Sequence, residues 1–335
     1  MNQQNKIHVG IHHGARELEN NILLQSIPGL KDLHTNIEQF RNVAFNYNNL
    51  NKGNSFIKNG REKFNNNISI LANRGMGKSS ALLTVIREIT NGRLFVKERY
   101  EKNTIDIINP MIDPEDIQSD ILGWVIASLS ERIEEIENLL KKSNHKMFIL
   151  EESPESMLSK LKEKRNRLIN CYSINREGYD HVALHRSINV NDYSKNLKEV
   201  LNYDYELHRA FEEFIDCLVE VKRKLNKTIN ELDTIDNEPL IYFFFDDLDM
   251  SSKKSIKILT DILSYFYHQN IVIFITGVYA VFEQSIKTFF LNETKDITLK
   301  MPEAEKKKEV MFADNRAEYF LKKVLPPSYR YYIHE

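Results

Sequence analysis

The run Ile68-Ser69-Ile70-Leu71-Ala72-Asn73-Arg74-Gly75-Met76-Gly77-Lys78-Ser79-Ser80 decides how the rest of the chain is read. Residues 68–71 are apolar enough for a short buried strand, and residues 79–89 repeat apolar side chains at helical spacing. The loop between them fits G-x-x-x-x-G-K-[ST], with Ala72 in place of the first glycine. Asn73, Arg74, Gly75, Met76, Gly77, Lys78, Ser79 and Ser80 are therefore the expected phosphate cradle. Gly75 and Gly77 let the backbone turn tightly enough for successive N–H groups to converge on one anion. The helix that opens there adds the positive end of its dipole. Lys78 is expected to reach the β- and γ-phosphates of a nucleotide, and the Ser79 hydroxyl to ligate Mg²⁺.

The second informative stretch is Leu240-Ile241-Tyr242-Phe243-Phe244-Phe245-Asp246-Asp247-Leu248-Asp249. So many consecutive bulky residues fit a strand covered on both faces of a parallel sheet. Its carboxylates come at the C-terminal end, where open α/β sheets bind ligands. Asp246 is expected on the metal side, through water, and a neighbouring carboxylate to polarise an attacking water. That carboxylate is Asp247, which directly follows, or Asp249, which could reach back across a tight turn; Asp247 is preferred. A third buried strand, residues 271–275, ends at Thr276-Gly277. Thr276 falls level with Asp246, where a γ-phosphate sensor would sit; the alternative is a threonine that satisfies its own loop backbone.

Around these stretches the pattern alternates strand and helix, which signals an α/β sheet. Residues 104–109 read as a strand, followed by a helix start with Asp113 as N-cap and Pro114 at its first position. Ile117, Ile121, Leu122, Val125, Leu129, Ile133, Ile136 and Leu140 then form one helical face. Leu30, Leu33, Ile37, Phe40, Val43, Ala44 and Tyr47 mark an earlier helix, and His8, His12 and His13 lie in a polar start expected to be mobile or lightly docked. Between 141 and 238 lie a charged run at 160–167, a loop expected at 172–193 and an apolar periodicity over 197–225 that suggests a long helix or a helix pair. Two helices, 303–310 and 315–325, and a strand beginning at 328–333 end the chain. The expected organisation is an N-terminal extension (1–65), the first part of a P-loop core with a parallel sheet flanked by helices (66–140), a mostly helical insertion (141–238) and the second part of the core (239–335).

Together, the loop at 72–80, the Asp246-Asp247-Leu248-Asp249 strand end and the 271–277 strand resemble the additional-strand P-loop ATPases. Within these the chain looks most like the AAA+-related and STAND branches, the KAP type especially. The segment Tyr319-Phe320-Leu321-Lys322-Lys323-Val324 before two prolines is similar to a helix those ATPases carry after the sensor strand. The resemblance spans roughly residues 66–130 and 238–330. It implies ATP and Mg²⁺ as ligands, and hydrolysis coupled to conformational change, homo-oligomer formation or a protein effector. Bacterial ATPases of this look serve anti-phage defence, the RADAR system among them. An arginine finger from a neighbouring subunit is also implied, with Arg316 and Arg330 as the residues to consider. The lid domain expected after the core has no counterpart in the sequence.

Composition narrows the remaining classes. The 335 residues are 41% hydrophobic and 28% charged, with a formal net charge of -2, which gives no general pull toward nucleic acid or anionic membranes. Two widely spaced cysteines, Cys171 and Cys217, argue against a disulfide framework or zinc site. No leader and no membrane-length apolar run is read, so the expected location is cytoplasmic, with no membrane partner. A nucleic-acid motor or loader on the same core is the alternative function, disfavoured by the charge and by a lack of interleaved aromatic and basic residues. A non-hydrolysing switch is disfavoured by the intact acidic pair. A GTPase is disfavoured because Asn226-Lys227-Thr228-Ile229 lacks the final acid of a base-reading motif.

Overall fold

A computed structural model describes residues 15–50, 64–92, 94–95, 103, 105–115, 117, 120–143, 153–177, 190–230, 238–293 and 302–334. His8, His12 and His13 lie outside them. Five strands, β1 (Asn67–Leu71), β2 (Ile107–Ile112), β3 (Ile241–Phe245), β4 (Ile271–Gly277) and β5 (Arg330–Tyr332), form one sheet in the order β2-β3-β4-β1-β5. Every pairing is parallel. The coarse expectation of an α/β fold with a parallel, helix-flanked sheet therefore holds.

Parallel strands buried on both faces carry apolar side chains at both parities, and β3 shows how that works. Tyr242 and Phe244 point to one face, where they pack with Ile68, Ile70, Val272 and Phe274. Ile241, Phe243 and Phe245 point to the other, with Ile271, Ile273 and Ile275. The first face is covered by α1 (Asn20–Ser26), a short 3-10 turn, α2 (Leu33–Leu50) and α3 (Lys78–Thr90), through residues such as Leu23, Leu33, Ile37, Leu82 and Val85. The segment preceding the phosphate loop thus supplies most of one helical layer. The start of the chain, to residue 25, is expected to be mobile or lightly docked; residues 20–26 are instead the helix α1, held by Leu23, which is 1% exposed.

The second face takes α4 (Ile121–Ser143), α5 (Pro154–Glu177), α6 (Val190–Asn230), α7 (Ser252–Tyr265), α8 (Tyr279–Glu293) and α9 (Glu303–Val324). The apolar periodicity over 197–225, read as a long helix or a helix pair, is one helix, α6, and the charged run lies on another, α5. Arg167 bridges them, pairing with Glu206 at 2.8 Å and Glu213 at 2.6 Å. Phe211 of α6 meets Phe266 at 5.5 Å, and Phe266 meets Phe243 of the sheet at 5.9 Å, so the pair shares the core of the sheet.

Four element boundaries differ from the sequence reading. The strand expected at 104–109 runs instead over Ile107–Ile112, straight through Pro110. β2 is the edge strand, and its register shifts between Ile108 and Met111, so a residue without an N–H costs no ladder bond there. The helix expected from Pro114 starts at Ile121. Asp113 accepts the Glu115 N–H at 2.8 Å in a local turn, and the true cap is Asp120, which accepts the Gly123 N–H at 2.8 Å. The loop expected at 172–193 is helical up to Glu177 and again from Val190, with residues 178–189 outside the described set. The two C-terminal helices are one, α9.

Asp120 also accepts the Tyr172 hydroxyl at 3.0 Å, tying α4 to α5. Asp120→Ala is expected to cost about 1–2 kcal/mol, the scale of a lost N-cap. Urea unfolding should show it as a lower midpoint with an unchanged slope.

Candidate functional site

Both diagnostic loops leave the C-terminal ends of parallel strands of the one sheet, β1 and β3, which flank β4. The β1 loop is tied to the end of β4 by the Ala72 N–H, which donates to the Gly277 carbonyl at 3.2 Å. Gly75 and Gly77 have φ of 81° and 82°, and nothing lies within 4 Å of a Cβ built on either. The glycine requirement is thus conformational rather than steric. Gly77 sits at the N-cap of α3, and the Ala81 N–H makes the first bond of the helix, to the Gly77 carbonyl at 2.9 Å. The N–H groups before it, on the helix's opening turn, have no helical acceptor. Asn73, Arg74, Gly75 and Gly77 are exposed, Met76 half-buried. The Met76 N–H closes the loop's own turn on the Asn73 carbonyl at 3.3 Å.

Lys78 is 5% exposed. Its Nζ lies 3.5 Å from the Asn73 carbonyl and 3.6 Å from Asp247 Oδ1. Lysine loop and acidic strand end therefore meet, although β1 and β3 are separated by β4. Asp247 is held at φ 42°, a left-handed conformation that costs a non-glycine residue roughly 1–2 kcal/mol. Burial, then the charge of Asp246, push the Asp247 carboxyl above its ordinary value; Lys78 pulls it back, while Asp249 and Asp113 push it further up.

Asp246 is buried, and its Oδ1 accepts a hydrogen bond from the Thr276 hydroxyl at 2.5 Å. The same hydroxyl accepts the Asp247 N–H at 2.9 Å. Asp249 is turned another way: its Oδ1 is shielded, has no hydrogen-bond partner, and lies 3.0 Å from where a Cβ on Gly277 would sit. Of the two candidate bases, Asp247 is the one beside Lys78. Ser79 is half-buried on the first turn of α3, while Ser80 Oγ accepts a backbone N–H from Arg16 at 3.2 Å.

That last bond belongs to a feature the sequence reading missed. The segment before α1 runs along α3: the Leu18 N–H donates to Thr84 Oγ1 at 2.8 Å, and Arg87 reaches Glu17 at 3.2 Å and Asn20 Oδ1 at 2.6 Å. Neither arginine considered as a finger is free: Arg316 pairs with Glu293 at 3.2 Å and lies 4.0 Å over the Phe290 ring. Arg330 donates to the Leu325 carbonyl at 2.8 Å and lies over the Tyr279 ring.

The residues present fit a nucleoside triphosphate with a divalent ion. The loop offers an open backbone cradle, a lysine and a helix N-terminus to phosphate, and Asp246 and Ser79 offer oxygen to a metal. Among the described residues no group of three His, Cys, Asp or Glu side chains could hold a metal ion. A hard cation here would need phosphate oxygens and water to complete its shell, as Mg²⁺ does. Among the described residues, too, no helix is long and apolar enough to cross a membrane. No family model matches this chain, and no curated protein matches it.

Proposed function

We propose that this chain binds and hydrolyses ATP with Mg²⁺ as an additional-strand P-loop ATPase, and that nucleotide state controls assembly of the chain or regulation of a protein effector. The observation that carries the reading is the sheet order. With β4 between β1 and β3, Lys78 Nζ still comes within 3.6 Å of Asp247 Oδ1, so cradle, metal-side acid and base share one strand edge. The backbone of 73–80 and Lys78 would hold the phosphates, and Ser79 and Asp246 the ion. Bound MgATP supplies the phosphoanhydride bond and, through its metal, neutralisation of phosphate charge. Asp247 orients a water and accepts its proton at the carboxylate; a carboxyl raised above its ordinary value is better matched to that task at neutral pH. Asp247, and not Asp249, takes the role because it faces Lys78. Anti-phage defence is the biological setting in which this reading fits the resemblance.

The test is mass photometry of the purified chain with and without ATP and Mg²⁺, alongside phosphate release. Nucleotide-dependent growth into a larger particle, with phosphate released, supports the reading; a chain that neither binds nor hydrolyses ATP defeats it.

A nucleic-acid-stimulated motor is the second reading, and one observation favours it. Aromatic and cationic side chains do interleave on α8 and α9: Arg316 lies over Phe290 and Phe312, and Lys323 lies 4.6 Å over Tyr319, with Phe312 and Tyr319 exposed. Phosphate release that appears only with added DNA, with binding that weakens steeply in salt, would select it.

A further inference from the structure

Thr276 is fully buried, and its side chain is committed on both sides. A threonine hydroxyl has one proton to donate and two lone pairs. Here the proton goes to Asp246 Oδ1 at 2.5 Å, within the range of an O–H bond to a carboxylate, and a lone pair takes the Asp247 N–H at 2.9 Å. The Thr276 carbonyl takes the next N–H, that of Leu248, at 3.1 Å. Three successive residues of the acidic turn are thus bonded to one residue of β4. The strand register explains why: Phe245 pairs with Ile275, so Asp246 and Thr276 emerge side by side. The pedestal is rigid as well, because the Phe282 ring packs where a Cβ on Gly277 would be.

We propose that Thr276 is a positioning residue for the acidic turn, and not a direct phosphate contact. It fixes the orientation of the Asp246 carboxylate, leaving Oδ2 for a metal-bound water, and pins Asp247 in its left-handed conformation beside Lys78. Donation to a phosphate oxygen would require the hydroxyl to abandon Asp246, and its lone pairs would repel the anion. The inference rests on the ATPase reading, and one set of variants separates the two.

Thr276→Val keeps the shape and removes the hydroxyl; Thr276→Ser keeps the hydroxyl. The readouts are binding of a fluorescent ATP analogue and of its ADP counterpart across a Mg²⁺ titration, together with kcat and KM for ATP. Loss of an outer-shell partner of this kind costs about 10–100-fold in activity or metal affinity. Thr276→Val is therefore expected to lower kcat by that factor with KM little changed, to need correspondingly more Mg²⁺, and to keep the native preference between ATP and ADP. Thr276→Ser is expected to restore the native Mg²⁺ titration. Should Thr276→Val fail to fold, Thr276→Cys, which keeps the volume but exchanges the hydroxyl for a weakly hydrogen-bonding thiol, is read in the same way. Collapse of the ATP-over-ADP preference with an unchanged Mg²⁺ requirement would make Thr276 a phosphate contact and overturn the proposal. So would native behaviour of whichever hydroxyl-free variant folds. A native chain that binds no MgATP defeats the ATPase reading instead.

Discussion

Lys78→Ala is expected to abolish nucleotide binding at micromolar concentrations while leaving a folded chain. Lys78 lies within ion-pair reach of the acidic turn, at 3.6 Å from Asp247 Oδ1, and it is almost wholly shielded from water. A hydrogen bond from an ionised group to phosphate is worth about 1.5–3 kcal/mol, or roughly 10–150-fold in affinity. The loss of the cation then leaves Asp247 facing Asp246 and Asp249 uncompensated, which adds repulsion toward any phosphate brought near. Asp247→Asn should separate the two parts of the site. It removes a negative charge from the cradle, so ATP binding persists or tightens, while hydrolysis falls by about 10²–10⁴-fold, the scale of a lost general base. Calorimetric titration with ATP and a phosphate-release assay read both. Normal turnover by Lys78→Ala would remove the site assignment altogether. Full activity of Asp247→Asn, with loss in Asp249→Asn, would move the base to Asp249.

Arg41→Ala is expected to destabilise the fold strongly, by about 3–5 kcal/mol. Arg41 of α2 meets the Asp106 carboxylate in a two-pronged pair, with both N–O distances 2.9 Å, and also donates to the Glu238 carbonyl. The Asp106 side chain is 1% exposed and further accepts the Leu240 N–H at 2.8 Å and the Asn103 amide at 2.9 Å. Next to it the Glu238 carboxylate is held by Arg223 at 2.6 Å and by Asn270 at 2.8 Å. This network pins the starts of β2, β3 and β4 to α2 and α6. Breaking such a pair from one side leaves a buried charge without its counter-ion, whereas replacing both partners with apolar groups can be close to neutral. Arg41→Met with Asp106→Leu should therefore lose less stability than Arg41→Ala alone.

The same pair sets a pH dependence. Burial alone would raise the Asp106 carboxyl, but the adjacent Arg41 charge and the hydrogen bonds hold it below its ordinary value of 3.8. A carboxyl depressed in the fold stabilises fully above its unfolded value and loses that contribution as pH falls through the folded one. Urea midpoints should therefore differ strongly between native chain and Arg41→Ala at pH 7, and the gap should narrow as pH falls, first through the raised Asp106 value of the variant and then through the depressed value of the native chain. A gap that is constant with pH would mean that packing, not the ion pair, carries the effect.

How far the chain could be read in advance varies by element. The shape of the loop after β1 was legible because its demands are local: glycine at positive φ and a helix start within a few residues. β3 was legible from its unbroken apolar run. Local signals misled at Pro110, which only an edge strand with a register shift accommodates, and at Asp113, which caps a turn rather than a helix. The role of Thr276 lay between these cases. Its level beside Asp246 was readable from strand lengths, but the direction of its hydroxyl was not. The Arg16–Thr84 neighbourhood and the Arg41–Asp106 pair join residues 60 or more positions apart with no periodic signature.

By itself, then, the amino-acid order determined the elements whose physics is local: the glycine-dependent loop, the doubly buried strands, the amphipathic helices and the acidic strand end. The tertiary structure alone decided that β4 lies between β1 and β3, that α1 and α2 cover one face, and that Asp247 rather than Asp249 faces Lys78. The reason is physical. Parallel strands pair through long crossovers whose hydrogen bonds are the same whichever strand is the neighbour, so only the packing of both sheet faces selects the order that brings lysine and carboxylate together.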